Sequence, residues 1–286
     1  MSYQHIENLY KCQDILAFKR CYAMEKIHGT SAHVSWKNGA VNFFAGGTDH
    51  KSFVALFDAD ALAVAFAGLG QEEVVVFGEA YGGKMQGMRD TYGDKLRFIA
   101  FEVKIGDSWL CVPDAEKVAI SLGLEFVHYD EVSTELEVLD MVRDADSVQA
   151  IRNGMGTGHQ REGVVLRPLF EVKKNNGERV IAKHKGEKFR ETSTPRVVDA
   201  DRLQVLSNAE AIAREWVTPM RLQHVCDGME IAIENIGPII KAMQADIERE
   251  ANGEVEMTAD ARKFIGRDTA LLVKRQVSRA LHGEVA

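Results

Sequence analysis

The sequence predicts an α+β protein: a domain of mainly antiparallel sheets with helices over residues 1–200, followed by a small all-α domain over residues 201–286. Three observations carry this reading. Short alternating or apolar runs, bounded by glycine turns, recur up to about residue 190. Asn38-Gly39 and Asn175-Asn176-Gly177 mark tight turns of the kind that join antiparallel strands. After Pro195 the apolar spacing changes to that of helices, and no strand signal follows about residue 206.

In order, Ser31–Trp36 alternates and Val41–Phe44 returns after Asn38-Gly39, a hairpin that makes the region around Lys26 strand-loop-strand. Phe53, Leu56, Phe57 and Val64 share a helical spacing, so one helix is expected to run to about Gly68. Val74–Phe77 is a buried-strand run, Leu96–Lys104 another, and Trp109–Val112 is a candidate partner for it. Pro113 opens a helix that Gly123 stops. A second helix is expected over Thr134–Arg143. Gly163–Arg167 and Arg179–Lys183 read as strands joined through the asparagine-glycine turn. Beyond Pro195, Ala209, Ile212, Ala213, Trp216 and Met220 recur helically, as do Ala232, Ile236, Ile239, Ile240, Met243 and Ile247. Gly237-Pro238 is expected to kink or split that second helix. A last helix carries Val273, Val277, Ala280 and Leu281.

The chain of 286 residues, 45% hydrophobic and 27% charged, is ordinary for a globular protein with one or two cores. No run reaches the length of a membrane span, and the polar start (Met1 to Lys11) is unlike a signal peptide. Four scattered cysteines, without C-x-x-C spacing, argue against a zinc site or disulfide framework and suit a reducing compartment. A cytoplasmic location is expected. The formal charge of -8 looks wrong for a nucleic-acid partner, but residues 161–196 hold 10 basic against 5 acidic side chains, net +5. On charge alone that stretch reads as a solvated hairpin.

Six features carry chemistry when taken together. They are Glu25-Lys26-Ile27-His28-Gly29, Gly78-Glu79 at a strand end, Phe98–Val103 with Phe101-Glu102, Glu162-Gly163, Lys183-His184-Lys185, and the helical tail. Each alone has a plain structural explanation: a surface turn, a turn carboxylate, core phenylalanines, a solvated strand edge. Their order resembles the covalent nucleotidyltransferase superfamily of ATP-dependent ligases and capping enzymes, over about residues 22–188. The Glu-Lys-Ile-His-Gly-Thr form of the first motif, with histidine where DNA ligases usually have aspartate, resembles the RNA ligase 2-like family. So does the helical tail, where a DNA ligase would continue into a β-barrel.

The resemblance implies a nucleotidyltransferase (ATP-grasp-like ligase adenylylation) domain over residues 1–200 and an ATP-dependent RNA ligase activity. Lys26 would take AMP from ATP as a lysyl-AMP, pass it to a 5′-phosphate on RNA, and a 3′-hydroxyl would then displace it. With an ordinary pKa near 10.4, only about one lysine in a few thousand is neutral at pH 7. Neighbouring cations such as Lys183 and Lys185, on one strand face, would lower that pKa and hold phosphates. The resemblance also places Glu25, Ile27, His28 and Gly29 at the nucleotide, Glu79 at the ribose and metal, Phe101 on adenine, and Glu162 at a Mg²⁺ that Mn²⁺ could replace. Lys51, Lys84, Arg167, Lys188 and Arg190 are candidate RNA contacts. A monomer acting on RNA with 5′-phosphate and 3′-hydroxyl ends, away from membranes, is expected.

One departure stands out. Residues 45–51 lack the arginine the family commonly has there, leaving Lys51 as a point charge without the arginine fork. Gly78–Lys84 satisfies the start of a P-loop, but Met85 follows where a hydroxyl is needed. Gly154–Gly158 precedes a strand instead of following one, unlike a dinucleotide loop, and reads as a surface loop. Two alternatives stand beside RNA ligation: a DNA ligase of the same superfamily, and a nucleotide- or RNA-end-binding protein that has lost turnover.

Overall fold

Asn38 and Gly39 both take positive φ (53° and 76°), which gives a two-residue turn the twist that antiparallel strands need. Around this hairpin the computed structural model describes residues 3–195, 198 and 208–281. The chain divides into two compact units, Met1–Gly186 and Glu187–Ala286. Among the described residues no helix is long and apolar enough to cross a membrane.

The first unit runs β1 (Arg20–Lys26), β2 (Thr30–Lys37), β3 (Ala40–Phe44), α1 (His50–Val54), α2 (Ala59–Gly68), β4 (Glu73–Tyr81), α3 (Arg89–Tyr92), β5 (Arg97–Ile105) and β6 (Ser108–Trp109). It continues through α4 (Val112–Ser121), β7 (Tyr129–Ser133), α5 (Leu136–Arg143), α6 (Val148–Arg152), β8 (Gly163–Arg167) and β9 (Ala182–Lys185). The strands form two sheets, ordered β7-β1-β8-β9 and β3-β2-β4-β5-β6, and every named strand pairing is antiparallel. Met24 of the first sheet and Val34, Val76, Ile99 and Val103 of the second share one core with Ala115 and Ala119 of α4. Backbone pairing fixes the strand ends, and this core fixes which faces meet.

One expectation for a helix changes in this unit, and the rejection of a P-loop stands. The single helix over residues 53–68 is two, because Asp58 turns extended and accepts a hydrogen bond from the Ala61 N–H as a new cap. Gly78–Tyr81 belongs to β4, so the P-loop-like run is strand and not a phosphate-cradling loop.

The second unit contains α7 (Ala209–Trp216), α8 (Pro219–Val225), α9 (Ile236–Glu250) and α10 (Ala259–Leu281). Ile212, Trp216, Leu222, Ile239, Met243, Ile247, Ile265 and Val273 form its core. Gly237-Pro238 does not split α9. It lies in the first turn, where proline's missing N–H has no helical partner to lose. Ala280 is exposed and not on the buried face of α10.

Candidate active site

Strand register brings the first motif against the fourth and fifth. Lys26 pairs with Gly163, and Gly163 pairs with Lys185, so the two lysines flank a residue without a side chain across β1, β8 and β9. Directly opposed residues share a sheet face. Only glycine fits between them: its φ is 151°, and a Cβ there would lie 2.1 Å from the His184 carbonyl oxygen.

Glu162, one residue before that glycine, receives the cations. Lys26 Nζ lies 2.9 Å from its Oε2, His28 Nδ1 3.1 Å from the same oxygen, and Lys185 Nζ 3.1 Å from Oε1. The carboxylate is 1% exposed while the Lys26 side chain keeps 24%. Burial alone would raise the Glu162 carboxyl. Lys26, then Lys185 and His28, overcome it and hold the group well below the usual carboxylate range. Gly186 N–H donates to the Glu162 carbonyl at 2.9 Å and closes the turn beneath the cluster. Lys183, two residues before Lys185 and so on the same face, is buried, with its backbone bonded to Glu7 and Leu9.

The loop after β1 passes directly over β4. A Cβ on Gly29 would meet the Ala80 oxygen at 2.2 Å and Glu79 Cγ at 3.0 Å, so glycine allows the approach that sets Glu79 beside the first motif. His28 N–H donates to the Tyr92 hydroxyl at 3.3 Å. Burial raises that hydroxyl's pKa far above the ordinary tyrosine value, so it stays neutral. Tyr92 was not signalled by the sequence, because its contact with residue 28 depends on how α3 folds back.

The remaining expected residues are distributed differently. The Glu25 side chain points away from Lys26 and accepts from Ser147 Oγ at 2.5 Å, Val148 N at 3.0 Å and Gln149 N at 3.3 Å. It anchors the start of α6 to β1. Ile27 is a core residue at 5% exposure. Phe101 sits at a register shift of β5 and meets the Tyr3 ring at 5.0 Å, edge to face. Glu102 beside it is fully engaged: Arg167 Nη1 lies 2.7 Å away, Arg179 Nη1 3.0 Å, and the Tyr3 hydroxyl also donates to it.

Two of the expected RNA contacts are engaged within the protein in this structure. Arg167 is 2% exposed, and its guanidinium is shared among Glu102, Glu171 and the Leu110 carbonyl. Its burial and these acidic partners give it a structural role in this conformation. Arg190 spends its N–H groups on Glu187 and the carbonyls of Thr192 and Ser193, which staples its own turn. Lys51, Lys84 and Lys188 are exposed. Arg196, part of the basic stretch, lies outside the described residues.

In the second unit, Glu191, His224 and Asp246 lie close enough to share a cation. That cation is already present as Arg221, 1% exposed, with Nη2 3.4 Å from Glu191 and Nη1 on Asp246. The group is an internal ion-pair network joining the 191 turn, α8 and α9.

Comparison with known proteins follows this geometry. The family model described as RNA ligase matches residues 19–185, from the first residues of β1 to Lys185. The chain belongs to the RNA ligase family. None of the curated proteins compared with it matches. Among solved structures it resembles Naegleria gruberi RNA ligase, seen as a point mutant with AMP and Mn (14% identity, TM-score 0.52), another mutant with ATP and Mn (15%, 0.52), and with PPi (14%, 0.52). These matches cover 66% of this chain and 57% of that ligase, so the likeness spans little more than half of its length. At this identity the likeness is one of fold: an RNA ligase-type domain of two antiparallel sheets with helices.

Proposed function

We propose that this member of the RNA ligase family is an ATP-dependent ligase that joins 5′-phosphate to 3′-hydroxyl RNA ends through a lysyl-AMP on Lys26. One observation carries the reading: Lys26, His28 and Lys185 converge on a single buried carboxylate, Glu162. Such a convergence of two ammonium groups and an imidazole is suited to a polyphosphate.

In the first step the neutral Lys26 amine attacks the α-phosphorus. A nitrogen–phosphorus bond forms, the bond to the bridging oxygen breaks, and pyrophosphate leaves. The resting ion pair opposes this, because a carboxylate 2.9 Å away stabilises the protonated amine. Glu162 is held too acidic to keep that proton itself, so the proton leaves to water along the 24% exposed Lys26 side chain, as does the second proton that the amine sheds on bonding to phosphorus. Turnover therefore requires the pair to part, with Lys185 exchanging Glu162 for phosphate oxygens and Lys183 joining it there. Glu162, with phosphate and water oxygens completing the shell, fits Mg²⁺ or Mn²⁺, which seldom needs a cage made wholly of protein. Such an ion, held by Glu162, would supply positive charge to the phosphate oxygens.

Glu79, set beside Gly29, would accept hydrogen bonds from the ribose, and Phe101 would stack on adenine. Residues 1–200 are the adenylyltransferase part in this reading, and the helices after residue 200 help hold RNA, with Lys51, Lys84 and Lys188 as exposed charges toward phosphates. The enzyme acts as a cytoplasmic monomer. Incubation with α-labelled ATP and Mg²⁺ tests the chemistry: a covalent protein-AMP band is expected, and its absence sinks the mechanism. A panel of nicked duplexes and single strands, with RNA or DNA at each end, tests the substrate. Sealing that prefers an all-DNA nick would replace RNA with DNA in this assignment.

A further inference from the structure

We propose that Tyr3 is a positioning residue for adenine recognition, holding the Phe101 ring in the orientation that the base stacks on. This rests on the reading of Phe101 as the adenine platform and adds the residue that fixes it.

Phe101 lies where the β4–β5 ladder slips. Phe77 pairs with Glu102 and Gly78 with Ala100, which leaves Phe101 as the extra residue of a bulge. The pleat aims an ordinary strand side chain, but a bulged one loses that constraint and takes its direction from its neighbours. Phe101 is also only partly buried, packed at the margin of the core.

Tyr3 supplies the missing constraint. Its ring centroid stands 5.0 Å from that of Phe101 at 73°, 5.2 Å from Phe77 and 6.0 Å from Trp109. Edge-to-face geometry of this kind is directional. The hydroxyl is tied to Glu102, the residue after Phe101, and Glu102 is itself clamped by Arg167 and Arg179. Ring and anchor therefore grip adjacent residues of one bulge. The segment carrying Tyr3 is fixed further along, where Glu7 O accepts from Lys183 N at 2.9 Å and Leu9 N donates to Lys183 O at 2.8 Å. The same segment thus touches the proposed base platform and the backbone of a proposed phosphate lysine.

The test separates base recognition from general damage. Forward lysine adenylylation uses ATP, whereas its reversal from isolated enzyme-AMP uses pyrophosphate, which has no base. Tyr3→Ala should raise the KM for ATP about 10-fold, the size of a lost aromatic contact, and leave kcat and the KM for pyrophosphate within about twofold. Tyr3→Phe, which keeps the ring and loses the anchor, should fall between wild type and Tyr3→Ala. An unchanged KM for ATP in folded Tyr3→Ala, or an equal rise in both KM values, overturns the proposal. Should Tyr3→Ala fail to fold, Tyr3→Leu is judged by the same criterion. Failure of the wild type to form enzyme-AMP at all would instead reject the underlying ligase reading.

Discussion

The first unit contains two buried carboxylates ringed by cations, and they are built for opposite ends. Glu162 faces Lys26, Lys185 and His28. Glu102 faces Arg167, Arg179 and the Tyr3 hydroxyl. Both carboxylates are 1% exposed, but the Lys26 side chain keeps 24% exposure against 3% for each arginine. Lysine and histidine can lose a proton or move to another anion. Arginine stays charged, and its planar fork here also binds Glu171 and a backbone carbonyl. The teaching is that burial of charge does not itself mark a reaction site. The kind of cation, and whether it keeps a route to solvent, separates a loaded site from a rivet.

The contrast can be broken first at its reactive end. Lys26→Ala should reduce protein-AMP formation by at least about a thousandfold, to background, while the thermal midpoint stays near wild type, as expected for loss of a nucleophile. Labelling that persists would remove Lys26 from the mechanism.

At the rivet the effect should be on stability. Arg167→Ala strands Glu102 and Glu171 with one fewer partner and should cost about 3–5 kcal/mol in denaturant unfolding. A loss under about 1 kcal/mol would mean that Arg179 and solvent suffice. Glu162→Gln should do the reverse, lowering adenylylation about 100-fold with a smaller change in unfolding midpoint, since its partners keep access to water.

The acid limb gives a smaller and subtler reading. The folded Glu162 carboxyl sits below its ordinary value because Lys26, Lys185 and His28 outweigh burial. A group with a lowered folded pKa contributes its full stability above the unfolded value, about 4.3 for glutamate, and loses it as pH falls through the folded pKa. Stability of the wild type should therefore drop on acidification below that region, and Glu162→Gln should flatten the drop. Identical acid limbs would deny the charge cluster any energetic role. The least effect is expected from the exposed lysines. Lys51→Ala or Lys84→Ala should weaken RNA sealing only about two- to fivefold and reduce its salt dependence, leaving protein-AMP formation unchanged.

How legible was this in the chain? The β2–β3 hairpin was, because Asn38 and Gly39 tolerate positive φ and neighbours in sequence are neighbours in space. Lys26, Glu162 and Lys185 were singled out by motif order, and the register sets Gly163 between the two lysines, where only glycine fits. Arg167 could not, since a charged residue in a basic stretch reads as surface until Glu102, 65 residues earlier in number (167 − 102), is seen against it. The partner of Glu25 was hidden for a related reason: it stands next to Lys26 in the chain, but strand alternation turns it to Ser147. The break at Asp58 was readable as a cap and was outweighed by the apolar spacing around it. Local signals fixed turns and most helices, whereas the fate of each charge depended on contacts far along the chain.

The alternation in β1 also limits how this protein can change length. Met24 enters the core, Glu25 anchors α6 and Lys26 reaches Glu162, and the strand is paired on both edges, with β7 and with β8. Gaining or losing one residue inside Arg20–Lys26 would reverse the parity of all that follows it. A gain would set the acid of Glu25 opposite Glu162, and a loss would set the Lys26 ammonium at the positive start of a helix. No compensating slip is open to a strand with two fixed neighbours. The exposed Asn38-Gly39 turn has no such constraint, so related chains should vary in length there and hardly ever in β1.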